Sequence, residues 1–360
     1  MRKPAFCTIL LVVGIFLLSA LSAAAVAPCY TCKKLGSLGG TGSPQSRAEA
    51  INADGMVVGS AITSSGDSHA FLYIGGVMQD LATLPAPYNV SSEASGINAV
   101  GQLVGTSYSS GPYHAFLWGG GVMQDLGTFP GGASWSQAFG INGAGQVVGW
   151  AYNSSGDSHA FLYNSGGGMK DLGTLPGNTS SYAYGINDAG QVVGRSGHAF
   201  LYSSGGGMQD LGTLPGGGDS WANAINASAQ VVGGAWTSSG PHAFLYSSST
   251  GMQDLGTLGG VSSEAFGINT TGQVVGKAIT ASWDTSAFLY SQGVMYDLNS
   301  LVTNQPKAVT LHLYEAYGIN DRGQIIAHGI ASQGTDIDYN GAYLLTPITP
   351  VSAVDLLLLQ

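Results

Sequence analysis

The stretch Ala138-Phe139-Gly140-Ile141-Asn142-Gly143-Ala144-Gly145-Gln146-Val147-Val148-Gly149 decides the fold, because the chain keeps returning to it. Its Ile-Asn pair recurs at Ile51-Asn52, Ile97-Asn98, Ile141-Asn142, Ile186-Asn187, Ile225-Asn226, Ile268-Asn269 and Ile319-Asn320. The intervals are 46, 44, 45, 39, 43 and 51 residues. A period near 45 marks a repeat architecture. Residues that recur in every copy serve the repeat, so chemistry is to be sought in what does not recur.

The rest of the repeat extends outward from that stretch. His159-Ala160-Phe161-Leu162-Tyr163 and Met169-Lys170-Asp171-Leu172-Gly173-Thr174-Leu175 follow it. Each is a short β-branched or aromatic run bounded by Gly, Asn, Ser or Pro, the signature of closely spaced strands. Four strands, a to d, make one small antiparallel sheet. Four residues before each Asn stands Ala (48, 94, 138, 183, 222, 265, 316), and two before it Gly or Ala. By period two, these positions share one face of strand a with the Asn, opposite the Ile and the residue three before the Asn. A crowded face in every copy fits the innermost strand of a propeller blade. The Asn bonds backbone two residues on, and a left-handed Gly three residues later completes the a–b turn, with Ala229 in that place in the fifth copy. Strands b and c are apolar on both faces, as in a sheet covered on both sides.

The chain ends argue for a ring. The seventh c strand, Gly341-Ala342-Tyr343-Leu344-Leu345, has no d strand after it. Lys33-Lys34-Leu35-Gly36-Ser37-Leu38-Gly39-Gly40 matches strand d and would complete that last blade, removing open edges. The expected fold is an all-β, seven-bladed β-propeller of four-stranded antiparallel blades closed by the N-terminal strand, with an open β-solenoid as the alternative. The expected organisation is a signal peptide over 1–27, the propeller over 28–346 and a tail over 347–360.

The start supports export. Arg2 and Lys3 precede an apolar run from Ile9 to Leu21, then Ala23-Ala24-Ala25-Val26-Ala27, where cleavage after Ala25 or Ala27 fits. A secreted or surface-exposed protein is expected. The chain carries 10 basic and 20 acidic residues, for a net charge of −10. That balance disfavours nucleic acid and anionic membrane surfaces as partners, and a monomer is expected. Cys29 and Cys32 could bridge only across a turn, since an extended strand holds residues i and i+3 on opposite sides. The sequence leaves both readings open.

The copies of His-Ala-Phe-Leu-Tyr (His69 to Tyr73, His114 to Trp118 and later), with Asp-Leu-Gly-Thr-Leu and Gly-Ile-Asn-x-x-Gly-Gln-Val-Val-Gly, resemble the HAF family of bacterial extracellular repeats over roughly residues 30–346. Tyr30 to Gly36 is similar to that family's first strand, with Lys34 where Asp is usual. The resemblance implies an exported bacterial protein and brings no established activity, substrate or catalytic residue.

The five HAF histidines, 69, 114, 159, 198 and 242, would spread around a wide circle, too far apart for one ion. Each is expected to bond the strand-d Asp across its hairpin (80, 125, 171, 210, 254). No metal or cofactor is expected. Subtracting the repeat leaves the d–a and b–c loops on one face of the ring. Trp135, Trp150, Tyr182, Trp221, Trp236 and Trp283 fall in or beside them and are the binding candidates, because aromatic rings on polar loops suit recognition. Tyr88, Tyr108, Tyr113 and Tyr152 join them. Glu93, Glu264 and Glu315 stand five before the Asn, at the channel mouth, where Arg47 holds the same slot in the first copy. The stretch Val302 to Glu315 reads as a lid or as cover for the seam between blades six and seven. The expected function is that of a binding or structural module recognising an extracellular glycan or protein. The alternatives are a glycoside hydrolase or polysaccharide lyase using the mouth carboxylates, and a purely structural surface protein.

Overall fold

The computed structural model describes residues 28–40, 46–304, 309–333 and 336–348. The expected signal peptide over 1–27 and nearly all of the tail lie outside the described residues. The chain is a seven-bladed β-propeller of four-stranded antiparallel sheets. Blade three is representative, with strand a Ser136–Ile141, b Val147–Tyr152, c Ser158–Asn164 and d Gly168–Asp171 paired in that order. Each a strand touches the a strands of both neighbouring blades, so the seven ring the axis.

The ring closes as expected. Blade seven takes Thr310–Ile319, Ile325–Gln333 and Asp336–Pro347 from the end of the chain and Tyr30–Lys34 from its start. Lys34 pairs with Tyr343, the register that Asp171 and Phe161 keep in blade three. The closing strand is protected along its outer edge. Thr303 N donates to Tyr30 O at 3.0 Å, and the Asn304 amide exchanges two bonds with the Cys32 backbone, at 2.7 and 3.0 Å. Leu298, Leu301 and Leu313 pack with Tyr30 beneath it. The described part of the 302–315 stretch therefore covers the six–seven seam. Cys32 is a free thiol on an extended strand, so no 29–32 bridge forms.

One expectation about strand a is overturned. In all seven blades the a–b register shifts between the Ala four before the Asn and the residue two before it. This is a β-bulge, and the extra residue three before the Asn breaks the period of two. Ala48 and Ile51 consequently share one face, packing with Val57 and Phe71, while Ala50 turns to the other and packs with Val58. The bulge also explains the Gly closing Val-Val-Gly. A Cβ on Gly149 would sit 1.8 Å from Gln137 O, and Gly59, Gly105, Gly194, Gly233 and Gly276 meet the equivalent oxygen at 1.8–1.9 Å.

The core lies between blades. Val147 joins a cluster with Val104 and Phe129 of blade two, and Val148 one with Val192 and Phe200 of blade four. The same division at each seam gives seven clusters around the ring and accounts for strands apolar on both faces. Phe71, Phe116, Phe161, Phe200, Phe244 and Phe288 are fully buried in them, each contributing about 2–3 kcal/mol of apolar burial.

Candidate functional site

The recurring polar residues prove structural. Each Ile-Asn asparagine accepts backbone N–H bonds within its own turn; Asn142 Oδ1, for example, accepts from Ala144 N at 3.1 Å and Gln146 N at 3.0 Å. Its Nδ2 then crosses to the next blade. Asn52 donates to Asn98 O, Asn98 to Asn142 O, Asn142 to Asn187 O, Asn187 to Asn226 O, Asn226 to Asn269 O, Asn269 to Asn320 O and Asn320 back to Asn52 O, at 3.0–3.2 Å. The seven buried amides thus form a closed hydrogen-bonded ring around one end of the axis. The turn role was legible in the sequence; the ring was not, because its partner lies about 45 residues away.

The five histidines bond their strand-d aspartates as expected, Nδ1 lying 2.8–3.2 Å from the carboxylate oxygens. Each Asp also accepts from the N–H two residues on, at 2.7 Å, holding Ala82, Gly127, Gly173, Gly212 and Gly256 at positive φ. Sequence reasoning missed a further recurring residue, the Ser six before the Asn. Ser92, Ser136, Ser181, Ser220 and Ser263 each accept from the backbone N of the HAF Ala and donate to the d–a loop of the preceding blade. Its spacing from the Asn was a signal that could have found it.

What varies gathers at the opposite end of strand a. The residue five before the Asn pairs across to strand b as Arg47–Ser60, Glu93–Thr106, Gln137–Trp150, Tyr182–Arg195, Trp221–Gly234, Glu264–Lys277 and Glu315–His328. The bulged residue two positions on is Glu49, Ser95, Phe139, Tyr184, Asn223, Phe266 or Tyr317. No two copies agree at both places. The loops are therefore not the sole variable surface, since the axial strands themselves carry one.

The mouth so formed has two halves. On blades two to four the rings meet edge to face. Tyr113 lies 4.8 Å from Trp135 and 6.2 Å from Trp150, and Trp150 lies 5.7 Å from Tyr182 and 5.5 Å from Tyr152. Trp150 is nearly buried, its Nε1 donating to Gln137 Oε1 at 3.0 Å, so it supports the wall while Trp135 and Tyr182 are half-buried beside it. Tyr88 instead stacks on His114 at 4.1 Å and donates to its Nε2.

Blades five, six, seven and one form a charged arc. Glu264 Oε1 accepts from Trp221 Nε1 at 2.6 Å and Asn223 Nδ2 at 3.2 Å. Lys277 lies 3.7 Å from Glu264 and 3.1 Å from Glu315. Tyr317 donates to Glu315 Oε2 and accepts from Arg47, each at 3.1 Å, and its ring stacks on Phe266 at 4.8 Å. Arg47 pairs with Glu49 at 3.2 Å. Trp221 is thus part of the arc, its ring lying over Gly234, where a Cβ would meet it at 2.4 Å. Trp236 and Trp283 join neither half's ring contacts and stand 46% and 73% exposed.

Burial shapes the electrostatics of the arc. Glu49 is pushed up to about 7, first by burial and then by the charge of Glu93, with Arg47 opposing. Burial also raises Glu93, against Arg47. His328, 2% exposed, is brought down to about 4 by burial and by Arg47. Its Nε2 lies 3.0 Å from Ala48 N and 3.1 Å from Ala48 O, and its Nδ1 lies 4.0 Å from Glu315 Oε2. The arrangement sets the two raised acids, Glu49 and Glu93, near Arg47 around an axial opening, next to an aromatic wall.

No known family's sequence model matches the chain, and no curated protein does. Solved structures resemble it in fold. A puromycin hydrolase is 13% identical with a TM-score of 0.50, over 91% of this chain and 57% of that one. YCF48 bound to D1 peptide is 11% identical with a TM-score of 0.49, over 91% and 97%. TolB from Acinetobacter baumannii is 12% identical with a TM-score of 0.40, over 78% and 60%. The chain spans less than two thirds of the TolB and hydrolase chains, and at these identities the likeness is one of β-propeller fold.

Proposed function

We propose that this protein is an exported HAF-type propeller that binds an extracellular glycan or protein at the variable mouth and catalyses no reaction. The observation that carries the reading is the continuous wall of Tyr113, Trp135, Trp150 and Tyr182 beside the axial opening. Such a wall offers large contact area at low conformational cost. The charged arc opposite supplies orientation, its carboxylates tied to Lys277, Arg47 and Trp221. The test is a glycan array, with a peptide library beside it, probed with the secreted protein and with Trp135→Ala and Tyr182→Ala. Loss of a specific hit in both variants, with unchanged melting, is expected. A wild-type protein without hits, or hits indifferent to both substitutions, overturns the reading.

A second reading is a carbohydrate-active enzyme. One observation favours it, namely that Glu49 is poised near neutrality beside Glu93, as a general acid beside a carboxylate would be. Release of reducing ends from polysaccharide, abolished by Glu49→Gln, would establish it.

A further inference from the structure

Trp236 and Trp283 have no place in the aromatic wall, yet they stand on neighbouring loops. Trp236 ends strand b of blade five, and Trp283 lies in the b–c loop of blade six. Their indoles are 46% and 73% exposed, so burial in the core does not account for them. Trp283 also keeps φ +66, a left-handed backbone that disfavours a bulky side chain and gathers at ligand-contacting sites. Between the two loops opens a cavity of about 180 Å³. Pro241, which pairs with Trp236 across its hairpin, lines it from blade five. Ile279 and Thr285, which pair at the base of the Trp283 loop, line it from blade six. Glu264, Lys277 and Glu315 line it toward the axis.

The axial side sets what the cavity can hold. Glu264 Oε1 is taken by Trp221 Nε1 at 2.6 Å and Asn223 Nδ2 at 3.2 Å. Its Oε2 lies 3.7 Å from Lys277 Nζ, too far for a hydrogen bond. The ammonium lies closer to Glu315 Oε1, at 3.1 Å. A carboxylate only accepts and an ammonium only donates, whereas a hydroxyl does both. A hydroxyl set between Glu264 and Lys277 satisfies the two at once. A free anion there meets the carboxylates, and a free cation meets the ammonium. The volume is below the roughly 300 Å³ at which pockets begin to take drug-sized ligands, and suits one ring. Exposed indoles on both loops favour a ring with apolar C–H faces beside its hydroxyls, and a pyranose has both.

We propose that this cavity binds one neutral pyranose residue of a glycan, its hydroxyls toward Glu264 and Lys277 and its C–H surface toward Trp236 and Trp283. The proposal rests on the reading of the mouth as a binding surface, but uses residues across the axis from the aromatic wall. Saturation-transfer NMR on the full chain tests it, with glucose, galactose, mannose, N-acetylglucosamine, glucuronate and a Gly-Ser-Gly peptide as probes. At least one neutral sugar is expected to give signal, and glucuronate and the peptide none. Trp236→Ala and Trp283→Ala should each weaken that sugar by about three- to tenfold, the scale of one aromatic contact. Glu264→Gln, which keeps the shape and removes the charge, should weaken it by about tenfold, the scale of a charge-assisted hydrogen bond; the two tryptophan variants decide the matter should it fail to fold. Silence of every neutral sugar, signal from the peptide or glucuronate alone, or a sugar signal unchanged in both tryptophan variants overturns the proposal. A glycan-array hit lost in Trp135→Ala and Tyr182→Ala but kept in Trp236→Ala and Trp283→Ala overturns it alone and leaves the mouth reading standing. A wild-type protein silent in both assays overturns the two together.

Discussion

The two ends of strand a are built from the same seven segments and behave as opposites. At the turn end, seven asparagines repeat one geometry and join hands around the axis. At the mouth end, five or so residues earlier, the copies read Arg, Glu, Gln, Tyr, Trp, Glu and Glu. Between them lies the bulge, present in every blade. It separates the register of the ring from the side chains of the mouth, so that one end can vary without disturbing the other. Repetition and variation are thereby assigned to different ends of one strand.

The largest expected effect breaks the ring. Asn187→Ala removes the buried bond to Asn226 O at 3.1 Å and two part-buried ones, to Gln191 Oε1 at 2.8 Å and from Gln191 N at 3.0 Å. Leaving those groups unpaired should cost about 2–4 kcal/mol. At the mouth of the same strand, Tyr182→Phe should change stability by less than about 0.5 kcal/mol. Urea denaturation of the two variants measures the contrast. Equal losses would mean that the ends are not independent.

A second test is pH, because the mouth end holds the titrating groups. His328 has a folded value of about 4 against an ordinary 6.5. The unfolded chain binds more protons between those values, so this contribution is present above pH 6.5 and lost as pH falls through 4. Glu49 has a folded value of about 7 against 4.5. Here the native chain binds more protons, so the contribution is present below pH 4.5 and lost as pH rises through 7. Between pH 4.5 and 6.5 the two slopes oppose, each integrating to about 3 kcal/mol at most. The wild-type melting temperature should be nearly flat across that window. Glu49→Gln removes one slope, so its melting temperature should rise with pH there and exceed wild type at pH 7. A Glu49→Gln profile parallel to wild type would show that Glu49 is not held protonated.

Much of this was legible in the sequence, and the misses share a cause. Blade count, strand order, closure by Tyr30–Lys34 and the His–Asp pairs all follow from spacing, because each is set within one repeat or by counting repeats. The bulge was not legible, since period two looks the same whether or not one residue steps out of register, and the face of Ile51 was misassigned in consequence. Glu93, Glu264 and Glu315 were singled out, but the partners of the last two were not, because Lys277 reaches Glu264 and Glu315 from strand b of blade six and Trp221 reaches Glu264 from blade five. Among the aromatic candidates, Trp135, Trp150 and Tyr182 assemble into one wall. Trp221, Trp236 and Trp283 stand apart from it, because loop membership alone says nothing of which blade a ring leans toward.

The smallest expected effect compares strain at the two ends. Ala229, at the ring turn of blade five, holds φ +57 where six blades have Gly. Trp283, in the b–c loop of blade six on the mouth side, holds φ +66. Each is a side chain in the left-handed region, at a cost of order 1 kcal/mol that glycine relieves, less what glycine adds to the freedom of the unfolded chain. Ala229→Gly should therefore stabilise by up to about 1 kcal/mol, since the turn bond from residue 229 N to Asn226 O at 3.1 Å is kept. Trp283 is 73% exposed, so replacing it forfeits little burial, and Trp283→Gly should give a gain of similar size. Thermal melts of both variants make the comparison. Equal gains would mean that the indole, like the alanine methyl, contributes nothing to folding; its retention at a strained, exposed position on the variable side would then point to contact with something outside the chain. A loss for Trp283→Gly alone would instead make the tryptophan a packing residue and remove it from the binding surface.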